Sequence, residues 1–407
     1  MAERVIADMA TSSEAFTEIA VVAAAAARNE PQWLVDRRAE AARAFAATPM
    51  PSTLLRPWKY TDVSDLDFDA FPMSTPKVTV AGAEELVDAI AEGHPERGED
   101  TFARLIPPTE GKFIAANTAL WERGVTIDIP AGAVGETPIV IEFESDEDGA
   151  ASIFPRLHIH ARERAEVTIV VHLRSGGSPL LVAGVTEIYA DQGAKVRVLF
   201  DNRWGADTQD YSSVRSKIGR DADVRIGTLA FGSRIFKQTI EALIEGEGAH
   251  SEIRGVALGA DQQHFDFVTL QDHIGPHSSS NVEIKSALAG SSKSIYYGIT
   301  RVEPTAGGSQ ANQENRNLLL SAHSKADSDP VLEILTADVI RCGHGATVGP
   351  VDQEALFYLQ SRGLTERASL QLLVSGFFNS VAETFPIDGL EQVIHATVVD
   401  KLATAEL

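Results

Sequence analysis

The sequence predicts a mainly β chain: a solenoid of short parallel strands over about residues 121–349, flanked by helical regions at 1–120 and 350–407. Three observations predict it. Between Val125 and Val348, more than a dozen short runs alternate apolar and polar residues, separated by Gly, Asp and Ser clusters, with no helical pattern among them. Inside that stretch Ala-x-Val recurs at Ala165, Ala194 and Ala222 and in relaxed form at Ala249, at spacings of 29, 28 and 27 residues, each unit holding about two strands. A period of that size marks stacked units, each burying its apolar face on the next. Apolar residues at helical spacing are confined to the two ends. A parallel β-helix fits the repeat better than a closed barrel, while its degeneracy leaves an antiparallel sandwich open.

From the N-terminus, residues 12–47 are rich in Ala, Glu and Arg and predict helix, interrupted near Asn29-Glu30-Pro31, where a proline can open a new first turn. AEELVDAIAEG, from Ala83 to Gly93, predicts a further helix closed by glycine. Between them RPWKYTDVSDLDFDAF, from Arg56 to Phe71, predicts a loop whose aromatic residues pack into a core. The strand runs follow: VTIDIP, PIVIEFE, RLHIHA, EVTIVVHL, KVRVLF and DVRIGTLAF among them. After Pro350 helices return. Asp352 is placed to cap the first, with Arg362 in its last turn and Gly363 as its stop. Thr365 caps a second and Asp388 a third. In the second, Leu370, Leu373, Val374, Phe377 and Val381 share one face, which Leu372 and Phe378 broaden beyond what one neighbour covers. Phe377 and Phe378 cannot both face the same neighbour, so Leu370, Leu373, Phe377 and Phe378 are the expected partner-binding positions, with packing on the end of the solenoid as the competing explanation.

Composition narrows the function. The 407 residues carry 58 acidic against 35 basic side chains, a net charge of −23, which repels phosphate backbones and anionic membrane surfaces alike. A 44% hydrophobic fraction is ample for a large core. A single cysteine precludes an internal disulfide and fits a reducing compartment. The apolar run from Ile19 to Ala27 is too short to span a bilayer and follows acidic rather than basic residues, so it does not read as a signal peptide; the expected location is the cytoplasm. No phosphate-binding G-x-x-x-x-G-K-[ST], G-x-S-x-G, H-E-x-x-H or C-x-x-C occurs, so no bound nucleotide, no ATP hydrolysis by this chain alone and no catalytic residue are expected.

The candidate chemistry lies in RCGHGATVGP. There the only thiol, Cys342, stands two positions before His344, amid glycines that let a cofactor or a backbone approach closely. In an extended segment the two side chains point to one side. Thiolate and imidazole together suit zinc or iron, yet they supply two ligands where four are usual, so such a site is transient, exchangeable or completed by another subunit. The alternative is a buried cysteine acting as a small hydrophobe beside a hydrogen-bonded histidine. His158 and His160 share a strand face without a nearby carboxylate or thiol and read as sheet-surface histidines, and His273 and His277 read as loop residues beside a proline turn.

The span CGHGATVGPVDQEALFYLQSRGLTERASLQLLVSGFF, from Cys342 to Phe378, resembles the C-terminal signature of the SufB/SufD family of iron–sulfur cluster assembly proteins, and PWKYTDV resembles its SufD branch. The resemblance extends over essentially the whole chain, through the core mainly in pattern. It implies a right-handed parallel β-helix and a non-catalytic scaffold in which SufB and SufD pair, each holding a SufC ATPase through its C-terminal helices. It implies a transient cluster near the pairing interface, with Cys342 and His344 at the motif positions and the remaining ligands on a SufB-like partner. One cysteine fits SufD better than SufB, since sulfur relay within one chain needs more than one thiol. A SufB-like or homodimeric scaffold is the alternative within the family. A polysaccharide-cleaving β-helix enzyme is the alternative outside it, and it lacks the expected secretory signal and clustered carboxylates.

Overall fold

The computed structural model describes residues 12–407 apart from 84–85, 87–89 and 93–97. Two long sheets face each other, and the chain alternates between them so that each coil adds one strand to each. One sheet runs from Lys77–Ala81 and Ile139–Ser145 through Glu166–Ser175, Lys195–Arg203, Asp223–Ala230, His250–Gly259 and Ser279–Leu288 to Ser309–Leu319 and Val339–Pro350. The other runs from Ile90–Glu92 and Gly124–Ile129 to Lys293–Val302 and Lys325–Ile334. Both are parallel except at their N-terminal ends, where Lys77–Ala81 and Ile90–Glu92 add antiparallel. The parallel β-solenoid is therefore the architecture, and the antiparallel sandwich is excluded.

The alanine repeat marks the coils. The amides of Lys195, Asp223, His250 and Ser279 donate to the carbonyls of Ala165, Ala194, Ala222 and Ala249. All four alanines are fully buried at the bend that enters each strand, where a larger side chain would meet the coil beneath. At the next coil Ser278 takes the equivalent position, accepting from Gln310, so the repeat fades from the sequence while the stacking continues.

Inward residues line a hydrophobic lumen that includes Val167, Ile169, Val196, Val198, Val224, Ile226 and Ile253. The N-terminal helices Ser12–Ala15, Glu18–Ala27, Gln32–Ala47 and Lys112–Leu120 cover the outer face of one sheet, packing Phe113 and Trp121 near Leu181, Ala183 and Tyr211. A buried carboxylate fixes this cover. Glu187 accepts the backbone N–H of Ala103, Leu105 and Ile106 and pairs with Arg156. Removing either partner would strand the other's charge, which makes the pair a lock between the two regions. The Arg56–Phe71 segment behaves as expected: Trp58 stacks on Phe113 at 5.5 Å between centroids and Phe68 is buried.

Two sequence expectations need correction in this half. Of the helix expected over Ala83–Gly93, residues 84–85, 87–89 and 93 lie outside the described residues, and Ile90–Glu92 is a strand paired to Gly124–Ile129, because an open sheet edge recruits it. His158 and His160 do lie on the outward face of their strand, but the N-terminal cover buries both. His158 sits between Phe102 and Tyr189 with no hydrogen-bond partner for either ring nitrogen, and burial pushes its pKa down to about 4. His160 faces Asp191 at 3.2 Å.

The C-terminal helices Gln353–Ser361, Glu366–Thr384 and Leu390–Thr404 lie on the outer face of the other sheet, over Leu199, Leu229, Val256 and Leu258. Asp352 and Thr365 cap the first two as the sequence predicts, accepting from Glu354 and Ala355 and from Ala368, and Gly363 ends the first with φ 94°. Asp388 does not cap the third; Gly389, at φ 79°, holds that position without a side-chain bond. Lys401, half-buried in the last helix, donates to the carbonyls of Phe231 and Leu258 and so bolts the helix to the sheet. Gly227 is required where it stands, since a Cβ would lie 2.6 Å from the Phe385 ring. No helix among the described residues is long and apolar enough to cross a membrane.

Candidate functional site

Val339–Pro350 is the last strand of its sheet and pairs along one edge with Ser309–Leu319. Its other edge has no strand partner among the described residues, and the same holds for Lys325–Ile334 in the facing sheet. The solenoid is thus open at its C-terminal end. Ile334, Leu335, Ile340 and Val348 are large apolar side chains exposed around that opening, Ile340 at 72%. Unpaired N–H and C=O groups beside exposed aliphatic side chains make a surface that another chain can extend.

Cys342 and His344 lie on this strand, in register with Ala311 and Gln313 of the preceding coil. Ala311 and Gln313 are buried, so the thiol and the imidazole project towards the lumen, on one side, as extended geometry requires. Cys342 is half-buried and His344 exposed, because no further coil covers them. Partial burial pushes the Cys342 thiol above its ordinary pKa, which favours the protonated form, so a metal ion binding there must displace that proton. Gly345 has no atom within 4 Å of where its Cβ would stand, which leaves the strand bare on its outer side.

Among the described residues no group of three or more His, Cys, Asp or Glu side chains converges to hold a metal. The pair offers one sulfur and one nitrogen donor, a set suited to iron or zinc and half of a tetrahedral shell. Its neighbours inside the lumen are carboxamides. Gln313, directly beneath His344, is fully buried and neither its oxygen nor its nitrogen has a partner. Asn315 is satisfied, donating to Ile284 O at 3.0 Å and accepting from Asn317 at 2.7 Å. This polar lining escaped the sequence reading. Its signal is ANQENRNLLL, where Gln313, Asn315 and Asn317 occupy three successive inward positions, a longer polar run than the isolated inward polar residues of earlier strands such as Gln238.

His273 and His277 are distant in chemistry from this pair. His273 ends a strand rather than lying in a loop; it is buried between Ser278 and Ser280 at 2.8 and 2.6 Å, with a pKa pushed down to about 4 by burial. His277 is in the turn, at φ 56°.

The expected partner positions separate. Phe378 is fully buried and Leu370 nearly so, both in the cluster on the sheet, where no partner reaches them. Leu373 and Phe377 are half-buried at the margin, and the Lys285 ammonium lies 5.3 Å from the Phe377 ring. The apolar groups that do face outwards are Phe357, Tyr358, Leu364, Leu372 and Val393, with Phe357 72% exposed. Sequence reasoning missed Phe357 and Tyr358, whose signal is a pair of adjacent aromatics directly after the buried Leu356 that cannot both turn inward.

Residues 143–377 match the family model described as SUF system FeS cluster assembly, SufBD core domain. An iron–sulfur cluster assembly SufBD family protein of Mycobacterium tuberculosis is 27% identical over 363 residues, covering 86% of this chain and 88% of that protein. The iron–sulfur cluster assembly protein SufB of Bacillus subtilis is 30% identical over 299 residues, covering 72% and 64%. SufD of the same organism is 24% identical over 418 residues, covering 92% and 95%.

Proposed function

Because the chain belongs to the SufBD family of iron–sulfur cluster assembly proteins, we propose that it is the SufD-like scaffold subunit of a cluster-assembly complex, presenting Cys342 and His344 to a nascent cluster shared with a SufB-like partner. One observation carries this reading: sulfur and imidazole project to one side of the last strand of an open solenoid, at its free edge, two donors short of a complete shell. A SufB-like chain laid along that edge would extend both sheets and bring its own ligands to the opening. The single thiol supports the SufD assignment, since a chain that receives sulfur and hands it on needs a second one.

The same reading gives the chain no chemistry of its own and places it in the cytoplasm. A SufC-like ATPase docks on the C-terminal helices, through Phe357, Tyr358, Leu364 and Leu372, with Leu373 and Phe377 at the margin. Leu370 and Phe378 shape that surface from beneath.

The identity to the Bacillus subtilis SufB favours a second reading, a SufB-like or homodimeric scaffold that completes its own site. Purifying the chain alone and together with SufB-like and SufC-like chains, then assaying iron and acid-labile sulfide, separates the two. The proposed function expects both elements in the complex and neither in the isolated chain. A stoichiometric cluster in the isolated chain or its homodimer establishes the second reading instead.

A further inference from the structure

Between the N-terminal cover and the outer face of the sheet lies a cavity of about 290 Å³ that plays no part in the site above; none of its lining residues belongs to the last strand. Its size falls near the small end of ligand pockets, about 300 Å³ upward, with room for a bicyclic ring system but not a dinucleotide. Trp58, Phe113 and Tyr211 form its aromatic wall. The rings are within 16–33° of parallel with centroids 5.5, 4.4 and 6.1 Å apart. The last distance is too short for three rings in one column, so they tile a surface rather than stack through it, and a tiled surface offers ring faces to a planar guest.

The polar groups of the wall differ in how far they are already engaged. Arg215 is saturated, donating to Glu110, Glu241 and the Leu105 carbonyl. The Lys237 ammonium is held by Asp266 at 2.7 Å and the Pro57 carbonyl, and lies over the Trp58 ring. Lys112 is different. Among the described residues its ammonium has no carboxylate partner; it donates to the Phe45 carbonyl and sits 3.8 Å from the centroid of the Phe45 ring. A cation answered by a neutral carbonyl and a ring face retains capacity for an anion. The far lip is Thr48 to Leu55, which has neither helix nor strand and exposes Leu54 at 94% and Leu55 at 53%. That lip gives a ligand a way in without disturbing a sheet.

We propose that this cavity is a binding site for a small planar aromatic molecule carrying one negative charge, the ring against Trp58, Phe113 and Tyr211 and the charge at Lys112. The site is built by the PWKYTDV segment, whose Trp58 forms the wall and whose Thr61 bonds Asp266 behind Lys237, so the segment's sequence has a role as the frame of a pocket.

The test uses the full chain and calorimetric titration with 1-naphthoate, with neutral 1-naphthylmethanol as the control. Naphthoate is expected to bind at least tenfold more tightly than the alcohol. Lys112→Met keeps the aliphatic stem and should bring naphthoate down to the alcohol's affinity while leaving the alcohol unchanged. Ser213→Phe fills the cavity from the sheet, since Ser213 lies on the same strand face as Tyr211 and Arg215; it should abolish binding of both. If Ser213→Phe lowers the melting temperature, Lys112→Met still decides the question. No binding of naphthoate at millimolar concentration, equal affinity for both probes, or an unchanged preference in Lys112→Met overturns the proposal.

Discussion

One line of stacked lumen positions reads Ile169, Val198, Ile226, Ile253 and Val282, and then Gln313 and His344. Along this line the early coils are hydrocarbon, removed from water, and the polar groups buried beside it are paired, Asn202 with Asp210 and Thr228 with Gln238. The last two coils hold carboxamides and finish on a thiol and an imidazole at an unpaired edge. A solenoid normally closes its ends with a polar cap, because an exposed end is an association hazard. This one is covered along its sides and left open at the C-terminal end, with Leu335 and Ile340 exposed beside the opening. The difference teaches a division of labour: the early coils supply stability in excess, and the last coils use some of it to keep polar, incomplete groups in fixed positions for a partner.

The largest effect should separate the two regions by stability alone. Ile226→Ala removes a fully buried side chain from the packed lumen and should cost about 2–5 kcal/mol in urea unfolding. Val348→Ala, in the open coil and 46% exposed, should stay within about 0.5 kcal/mol in the isolated chain. Equal losses would mean that the open end is as tightly packed as the middle.

Acid should act on the closed interior, where His158 and His273 are buried, before the open end. His158 is buried without a partner, and its folded pKa of about 4 lies below the ordinary value of 6.5. Between those values the unfolded chain takes up a proton that the folded chain refuses, so stability is full above about pH 6.5 and falls as pH drops towards 4. Measured by urea unfolding at stepped pH, His158→Phe should reduce that fall without abolishing it, because buried His273 contributes in the same window.

Within the polar coils themselves two neighbouring carboxamides should respond with opposite signs. Gln313 is buried with both polar atoms unpartnered, a state that costs roughly 1–3 kcal/mol, so Gln313→Leu should raise the melting temperature of the isolated chain. Asn315 is bonded to the Ile284 carbonyl, Asn317 and Ser328, and Asn315→Leu should lower it by a similar amount. A loss at both positions would place ordered water on Gln313.

What the sequence made legible follows the same division. The coils were visible because burial on one face imposes alternation, and because the bend into each strand admits only a small residue at Ala165, Ala194, Ala222 and Ala249. The Cys342–His344 pair was visible because strand geometry fixes the side on which i and i+2 project. What stayed hidden depended on contacts distant in sequence. Nothing local says that the N-terminal cover buries His158, that a sheet edge recruits Ile90–Glu92, or that Phe378 rather than Phe377 faces the sheet. Gln313 was hidden for a further reason: a polar residue on the inward phase of a strand reads as outward until the register places it beneath His344.

The smallest effect on stability should carry the largest consequence for function. His344→Ala removes an exposed side chain with no coil above it, so the melting temperature of the isolated chain should move by less than the equivalent of about 0.5 kcal/mol. Under the proposed function the same substitution leaves pairing with a SufB-like chain intact, since the pairing edge is backbone, and lowers the iron and sulfide recovered with the complex. Cys342→Ser keeps the shape and loses the soft ligand, so its effect on iron should be similar or smaller. Size-exclusion chromatography reports the pairing, and metal and sulfide assays on the same fractions report the cargo. Full pairing with wild-type iron and sulfide in both variants would remove the ligand role from the pair and leave Cys342 as a half-buried apolar contact. Loss of pairing in His344→Ala would instead make the imidazole an interface residue, and the comparison between a stable middle and a functional end would then rest on the edge rather than on the metal donors.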